Sequence, residues 1–132
     1  MISICMQQRA GLLFLAKNSG RIMLILENQR WTVPTFERQT TLLKDAEALL
    51  DDYKQGKIVP VELYLSKDRG FEYGTYVCLV DSEFTCKFNI TQAWCVRNEL
   101  PPNLHGGLRS TLNDHTIKTK IDTIMELENA NK

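Results

Sequence analysis

Two apolar runs, GLLFLA over residues 11–16 and RIMLILE over residues 21–27, are separated only by Lys17-Asn18-Ser19-Gly20. Asn and Gly tolerate the positive φ that a tight reversal needs, so the pair predicts a β-hairpin. Neither run alternates between apolar and polar residues. Strands that are apolar at nearly every position are buried on both faces, and that requires helices packed on both sides of the sheet.

The rest of the chain supplies those helices. Trp31-Thr32-Val33 is a further short strand, stopped by Pro34, which has no N–H to give to a ladder. From Thr40 the period changes. Leu42, Leu43, Ala46, Leu49, Leu50 and Tyr53 recur at helical spacing, with Lys44, Glu47, Asp51, Lys54 and Gln55 on the other side. Thr40 or Thr41 caps the start of this helix and Gly56 ends it. Strand character returns over 58–66 (IVPVELYLS) and 73–80 (YGTYVCLV), joined by a turn at 67–70, and again over 93–97 (AWCVR). Leu104, Leu108 and Leu112 mark a short helical piece. Ile117, Ile121, Ile124 and Met125 line one side of a C-terminal helix, capped by Asp114 or Thr116, with residues 128–132 expected to fray. The order is three strands, a helix, three strands and a helix: an α/β fold, with a mixed β-sheet between helices, in one domain over residues 1–132.

Composition narrows the partners. Sixteen basic residues balance sixteen acidic ones, so no long-range field draws the chain to nucleic acid or to an anionic membrane. Lys17, Arg21 and Glu27 interrupt the N-terminal apolar stretch before it reaches membrane-spanning length, and MISICMQQR does not read as a signal peptide. Cys5, Cys78, Cys86 and Cys95 are too scattered for a zinc site and are expected to be free thiols in a reducing cytoplasm.

Taken together, AGLLFLAKNSGRIMLILENQRWTVP (residues 10–34) and AWCVRNELPPNLHGGLRSTL (residues 93–112) resemble the two ends of a Nudix-family domain. The shared marks are the hairpin, a W-x-x-P step, a tryptophan strand and an "ELP" turn before a short helix. The nearest resemblance is to small Nudix hydrolases of the kind that viral genomes, phage included, carry. It implies a Nudix-like αβα sandwich, with Mg2+ as the cofactor if the protein is active and none otherwise. Carboxylates of a box G-x5-E-x7-R-E-U-x-E-E-x-G-U (U aliphatic) hold the metal while water attacks a diphosphate. This chain departs from that box. Thr35-Phe36 replaces the glycine pair, and Glu37 comes early for the loop glutamate. The core R-E-U-x-E-E aligns with Glu47-Ala48-Leu49-Leu50-Asp51-Asp52. Glu47 stands where the arginine belongs, Ala48 where the first glutamate belongs, and Gln92 where some members place another acid.

The candidate residues follow from that alignment. Glu47, Asp51 and Asp52 are the residual catalytic and metal-binding acids, against the alternative of a solvated helix face; Glu83 or Glu99 are further acids an active site would draw on. Phe36 either plugs the cleft or stacks on a base. Glu37, Tyr76, Trp94 and His105 are the other candidate ligand contacts, with Tyr73 beside Tyr76, and Arg9, Arg21 and Arg97 as phosphate clamps. The implied function is binding of a nucleotide or nucleoside diphosphate derivative, or of a partner protein, without efficient hydrolysis. The alternative is an active Mg2+-dependent hydrolase with a variant acidic site.

Overall fold

The computed structural model describes residues 7–36, 44, 48, 60–68, 71–86 and 90–130. Seven strands are described: β1 (Gln7–Ala16), β2 (Ile22–Glu27), β3 (Arg30–Thr32), β4 (Thr35–Phe36), β5 (Pro60–Asp68), β6 (Phe71–Val80) and β7 (Gln92–Cys95). Two helices follow, α1 (Gly106–Asn113) and α2 (His115–Ala130). Within the predicted helix of residues 40–54, Lys44 and Ala48 are helical and exposed, one turn apart, and the remaining positions lie outside the described residues.

The sheet is mixed, in the order β3-β2-β1-β6-β5, with β4 paired to β1 and β7 to β2. Its centre is the parallel ladder of β1 on β6, in register from Gln7↔Phe71 to Ala16↔Val80. A parallel pair inside a mixed sheet is covered on both sides, which is why the apolar run of β1 never alternates. Leu12 to Ala16 have no exposed surface at all.

The two faces carry separate cores. On one, Leu13, Leu15, Ile22, Leu24 and Val77 pack against Leu108 and Leu112 of α1 and Ile117 and Ile121 of α2. On the other, Leu12, Phe14, Met23, Ile25 and Cys78 pack with Phe84 and Cys86 of the segment after β6. Both α1 and α2 lie on the first face.

The hairpin forms as the sequence requires. Leu15 pairs with Ile22, and Gly20 takes φ +73 while its N–H donates to the Ala16 carbonyl. The β2–β3 reversal uses Asn28 and Gln29, both at positive φ. Left-handed geometry at the non-glycine Gln29 costs on the order of 1–2 kcal/mol. Asn103 donates its side-chain N–H to the Gln29 carbonyl and holds that turn.

Several boundaries differ from expectation: β1 begins at Gln7, β3 at Arg30 and β6 at Phe71, each earlier than its apolar run. Pro34 does not end strand structure, because Thr35 and Phe36 resume it against β1 on the other side of the kink. Residues 67 and 68 belong to β5, whose Asp68 pairs with Phe71, so strand structure takes up the first half of the expected turn, and residues 69 and 70 lie outside the described residues. The tryptophan strand is Gln92–Cys95, ending two residues before the expected Arg97. Glu128 does not fray: α2 runs to Ala130, and Lys17 binds the Glu128 carboxylate at 2.9 Å and Asp81 at the same distance. The cap of α2 is as expected, with Asp114 accepting from the Ile117 N–H.

Candidate functional site

Strand registers place one row of residues straight across four strands. Thr35 lies opposite Gly11, Gly11 opposite Thr75, and Thr75 opposite Tyr64. The next row down is Arg9, Tyr73 and Ser66. Facing residues of paired strands share a face, so Thr35, Thr75, Tyr64, Tyr73 and Ser66 converge on one side. They form the floor of a cleft of about 490 Å³.

Two departures from plain strand geometry shape this floor. Between Glu62 and Tyr64 the ladder slips by one residue, a β-bulge. A bulge re-aims side chains, and here it sends Leu63 into the core while leaving Tyr64 51% exposed in the cleft. The second departure is Gly11. A Cβ there would collide with the Tyr73 phenol and press on Val33, so the missing side chain is what lets the Tyr73 ring lie low across β1.

The walls come from two turns. Glu27, Asn28 and Arg30 of the β2–β3 reversal form one, and His105 with Gly107, Leu108 and Thr111 along α1 form the other. The second wall is stitched to the sheet: the Trp31 N–H donates to the Asn103 carbonyl and the His105 N–H to the Trp31 carbonyl, at 3.0 and 2.7 Å. His105 caps α1, its Nδ1 accepting from the Leu108 N–H at 3.4 Å. That role accounts for the histidine as a turn residue bonded to backbone.

Among the described lining residues, the cleft is polar by hydroxyl groups more than by charge. Thr35 and Thr111 spend their hydroxyls on the carbonyls of Val33 and Gly107. Thr75 is only 4% exposed, and among the described residues its hydroxyl has no hydrogen-bond partner. Arg30 and Glu27 supply one charge of each sign.

Of the residues named from sequence as ligand contacts, the cleft gathers His105 and Tyr73. Glu37, and with it the acids Glu47, Asp51 and Asp52, lies outside the described residues. Phe36, Tyr76 and Trp94 come together as well, but on the opposite face of the sheet, packed against the Leu12–Phe14–Met23 core. The physical reason is parity. Thr35 faces the cleft, so Phe36 faces away, and Tyr73 and Tyr76 are an odd number apart, so the expected Tyr73–Tyr76 wall is corrected to two tyrosines on two faces. Tyr76 meets Glu62 across the strands at 3.5 Å, and burial, then the charges of Glu62 and Glu72, push its phenol pKa up.

The Trp94 indole N–H donates to the Phe84 carbonyl and its ring stands edge-on to Phe84. Gln92 uses both ends of its amide on the same segment, donating to the Phe84 carbonyl and accepting from the Cys86 N–H. Arg21 pairs with Glu83 and Arg97 with Asp122, so two of the three suggested phosphate clamps are engaged in ion pairs. Neither Glu83 nor Glu99 lines the cleft.

Sequence reading did not single out Tyr64, Ser66, Thr75 or Arg30. It also passed over Glu72, a carboxylate only 8% exposed, which strand alternation puts on the face of Tyr76. Among the described residues no three His, Cys, Asp or Glu side chains converge as metal ligands.

No family model matches the sequence, and no curated protein sequence matches it. Solved structures do. RenU, a Nudix hydrolase from M. smegmatis, superposes with a TM-score of 0.61 at 16% identity, covering 81% of each chain. A C. elegans Ap4A hydrolase in a binary complex gives 0.62 at 10% identity over 89% of this chain and 98% of that one. The fold is that of the Nudix hydrolases. A third structure of this shape is the C-terminal domain of mouse MUTYH in complex with human PCNA, at 0.52 and 12% identity over 96% of this chain and 90% of the other. On this Nudix fold, the step from Pro34 sends Thr35 toward the cleft and Phe36 into the far core.

Proposed function

We propose that the protein binds a nucleotide or nucleoside diphosphate derivative in the cleft over Thr75 and does not hydrolyse it efficiently. The observation that carries this reading is the cleft itself, whose described lining brings Tyr64, Tyr73, several hydroxyls and Arg30 together on a Nudix fold. Stacking surfaces and short polar side chains suit a base and a ribose. Against hydrolysis stands the box, which lacks its glycine pair, its arginine and its first glutamate.

An active Mg2+-dependent hydrolase built on Glu47, Asp51 and Asp52 is the second reading, and the buried carboxylate of Glu72 is the observation in its favour. Binding of a protein partner is a third, supported by the MUTYH domain captured with PCNA on the same fold.

A thermal-shift screen of nucleotides with and without Mg2+ separates them, since a ligand that binds only the folded state raises Tm. A shift without metal supports binding. A shift that requires Mg2+ and decays as product accumulates supports the hydrolase. No shift with any nucleotide directs attention to a protein partner.

A further inference from the structure

Resting on that reading, we infer that the cleft recognises the neutral nucleoside end of its ligand, with the Thr75 hydroxyl as the buried polar anchor, so that affinity scarcely depends on how many phosphates follow.

The anchor is the strongest observation. A hydroxyl shut away from water is nearly always hydrogen-bonded, and leaving it unpaired is costly. Thr75 is 4% exposed, lies in the floor of the cleft and has no partner among the described residues. The neighbouring threonines differ: Thr35 and Thr111 satisfy themselves on local carbonyls. A ligand hydroxyl, carbonyl or amino group arriving at the floor supplies what Thr75 lacks.

The aromatic residues beside it are placed by specific devices. Tyr64 is directly across the ladder from Thr75 and enters the cleft because of the bulge; Tyr73 is two residues away on the same strand and lies low because Gly11 has no side chain. Rings flanking a single buried hydroxyl suit a flat heterocycle or a sugar face carrying neutral hydrogen-bonding groups. The cleft's charges point the same way. Arg30 and Glu27 sit three residues apart on one turn, so the field each casts over the cleft is largely offset by the other. Among the described lining residues, a chain of phosphates would meet one guanidinium and one carboxylate, a poor match for several added negative charges.

The test is calorimetric titration of the whole chain, in buffer containing EDTA, with the four common ribonucleosides and their mono-, di- and triphosphates, and with ribose 5-phosphate. The expected result is that at least one nucleoside binds and that its phosphorylated forms bind within about threefold of it, while ribose 5-phosphate binds more weakly than any of them. Thr75→Val should weaken that binding about tenfold, the worth of one buried hydrogen bond, whereas Thr75→Ser retains it. The same Thr75→Val change should raise the Tm of the ligand-free protein, because it removes an unpaired buried hydroxyl. A merely structural threonine would not separate the two effects in this way. Triphosphates binding thirtyfold or more above the nucleoside would overturn this inference and leave nucleotide binding intact. Binding by Thr75→Val equal to the unmodified protein would remove the anchor. Silence toward every ligand would sink both this inference and the nucleotide reading beneath it.

Discussion

Tyr73 occupies the space that a side chain on Gly11 would need: the phenol lies over β1 where a Cβ would otherwise stand, with Val33 closing the other side. Neither residue is on the other's strand in sequence, yet the parallel register of β1 on β6 makes them neighbours, Gly11 facing Thr75 and Arg9 facing Tyr73.

Gly11→Ala is therefore expected to destabilise the fold by about 1–3 kcal/mol, the usual range for overpacking, even though alanine is otherwise the better strand residue. Urea denaturation measures it. Adding Tyr73→Phe removes the phenol oxygen and should recover part of the loss, giving a non-additive double-mutant cycle. Simple additivity would show that the two residues do not compete for one space.

Lys17 ties the end of β1 to the end of α2. Hydrogen bonds to Glu128 and then Asp81 raise its pKa above the ordinary 10.5. Because the folded-state value is the higher one, the stabilisation is complete below 10.5 and is lost as pH rises through the raised value. Lys17→Met should cost about 0.5–1 kcal/mol at pH 7, typical of a partly exposed pair, and the difference from the unmodified protein should narrow as pH rises past 10.5. Thermal melts across pH 7–11.5 read this directly. A gap that persists undiminished at the alkaline end would mean the lysine acts through its methylene stem and not its charge.

On the proposed Nudix alignment, Gln92 is the position where an acid would restore more of the family pattern, and its hydrogen bonds set what that would cost. Glutamate has no donor for the Phe84 carbonyl, which would keep only the Trp94 N–H. Gln92→Glu should lose about 1–2 kcal/mol at pH 7 and red-shift the Trp94 fluorescence as the Phe84 segment loosens. At pH 4 the protonated acid regains a donor, so the deficit should shrink there. An unchanged emission maximum with unchanged stability would show that the amide clamp contributes nothing.

How much of this was legible beforehand depends on the range of the signal. Leu12 to Ala16 and Ile22 to Leu24 declare a doubly covered sheet by their composition alone, and the β1–β2 hairpin follows from Gly20, which takes the positive φ of that turn while Asn18 does not. Parity along β6 was also in the sequence, and it separates Tyr73 from Tyr76. Tyr64 was not readable, because the bulge at Leu63 breaks the alternation that would have assigned its face. Nor was the Lys17–Glu128 contact, between residues 111 apart, where only the folded path of the chain brings opposite charges together. Thr75 looked like one more β-branched residue in a strand; its importance lies in what surrounds it.

Thiol chemistry should follow burial. The Cys78 thiol has no exposed surface and its pKa is pushed up to about 12 by burial, while Cys86 and Cys95 are raised by the same cause and the Arg21 charge partly opposes it at Cys95. Alkylation at pH 8, mapped by mass spectrometry, should label the half-buried Cys95 before Cys86 and Cys78. After denaturation all four cysteines should label, Cys5 included. Early labelling of Cys78 in the native state would contradict the packing of β6.

Hydrolysis is the last expectation. Turnover of ADP-ribose, dinucleoside polyphosphates, oxidised nucleotides or dinucleotide cofactors should be absent or very slow, for an electrostatic reason. Cleaving a diphosphate calls for metal charge held at the bridge by several converging carboxylates. On the proposed alignment, the box offers Ala48 and two short aspartates, Asp51 and Asp52, with Glu47 in place of the arginine. Each lost ligand or supporting group commonly costs on the order of tenfold to a hundredfold, and residues of one site act as a unit, so the losses need not multiply. Repair is best begun at one position. Ala48 is helical and exposed, so Ala48→Glu places a carboxylate there with little cost to folding, whereas Phe36→Gly would strip a ring from the core around Leu12 and Phe14. Ala48→Glu should therefore strengthen Mg2+ binding, measured by calorimetry, with Tm changed by no more than a few degrees. If instead the unmodified protein turns over any of these substrates at about one per second or faster, and Asp51→Ala with Asp52→Ala abolishes it, the aspartates are working metal ligands in a site rebuilt around a shorter box.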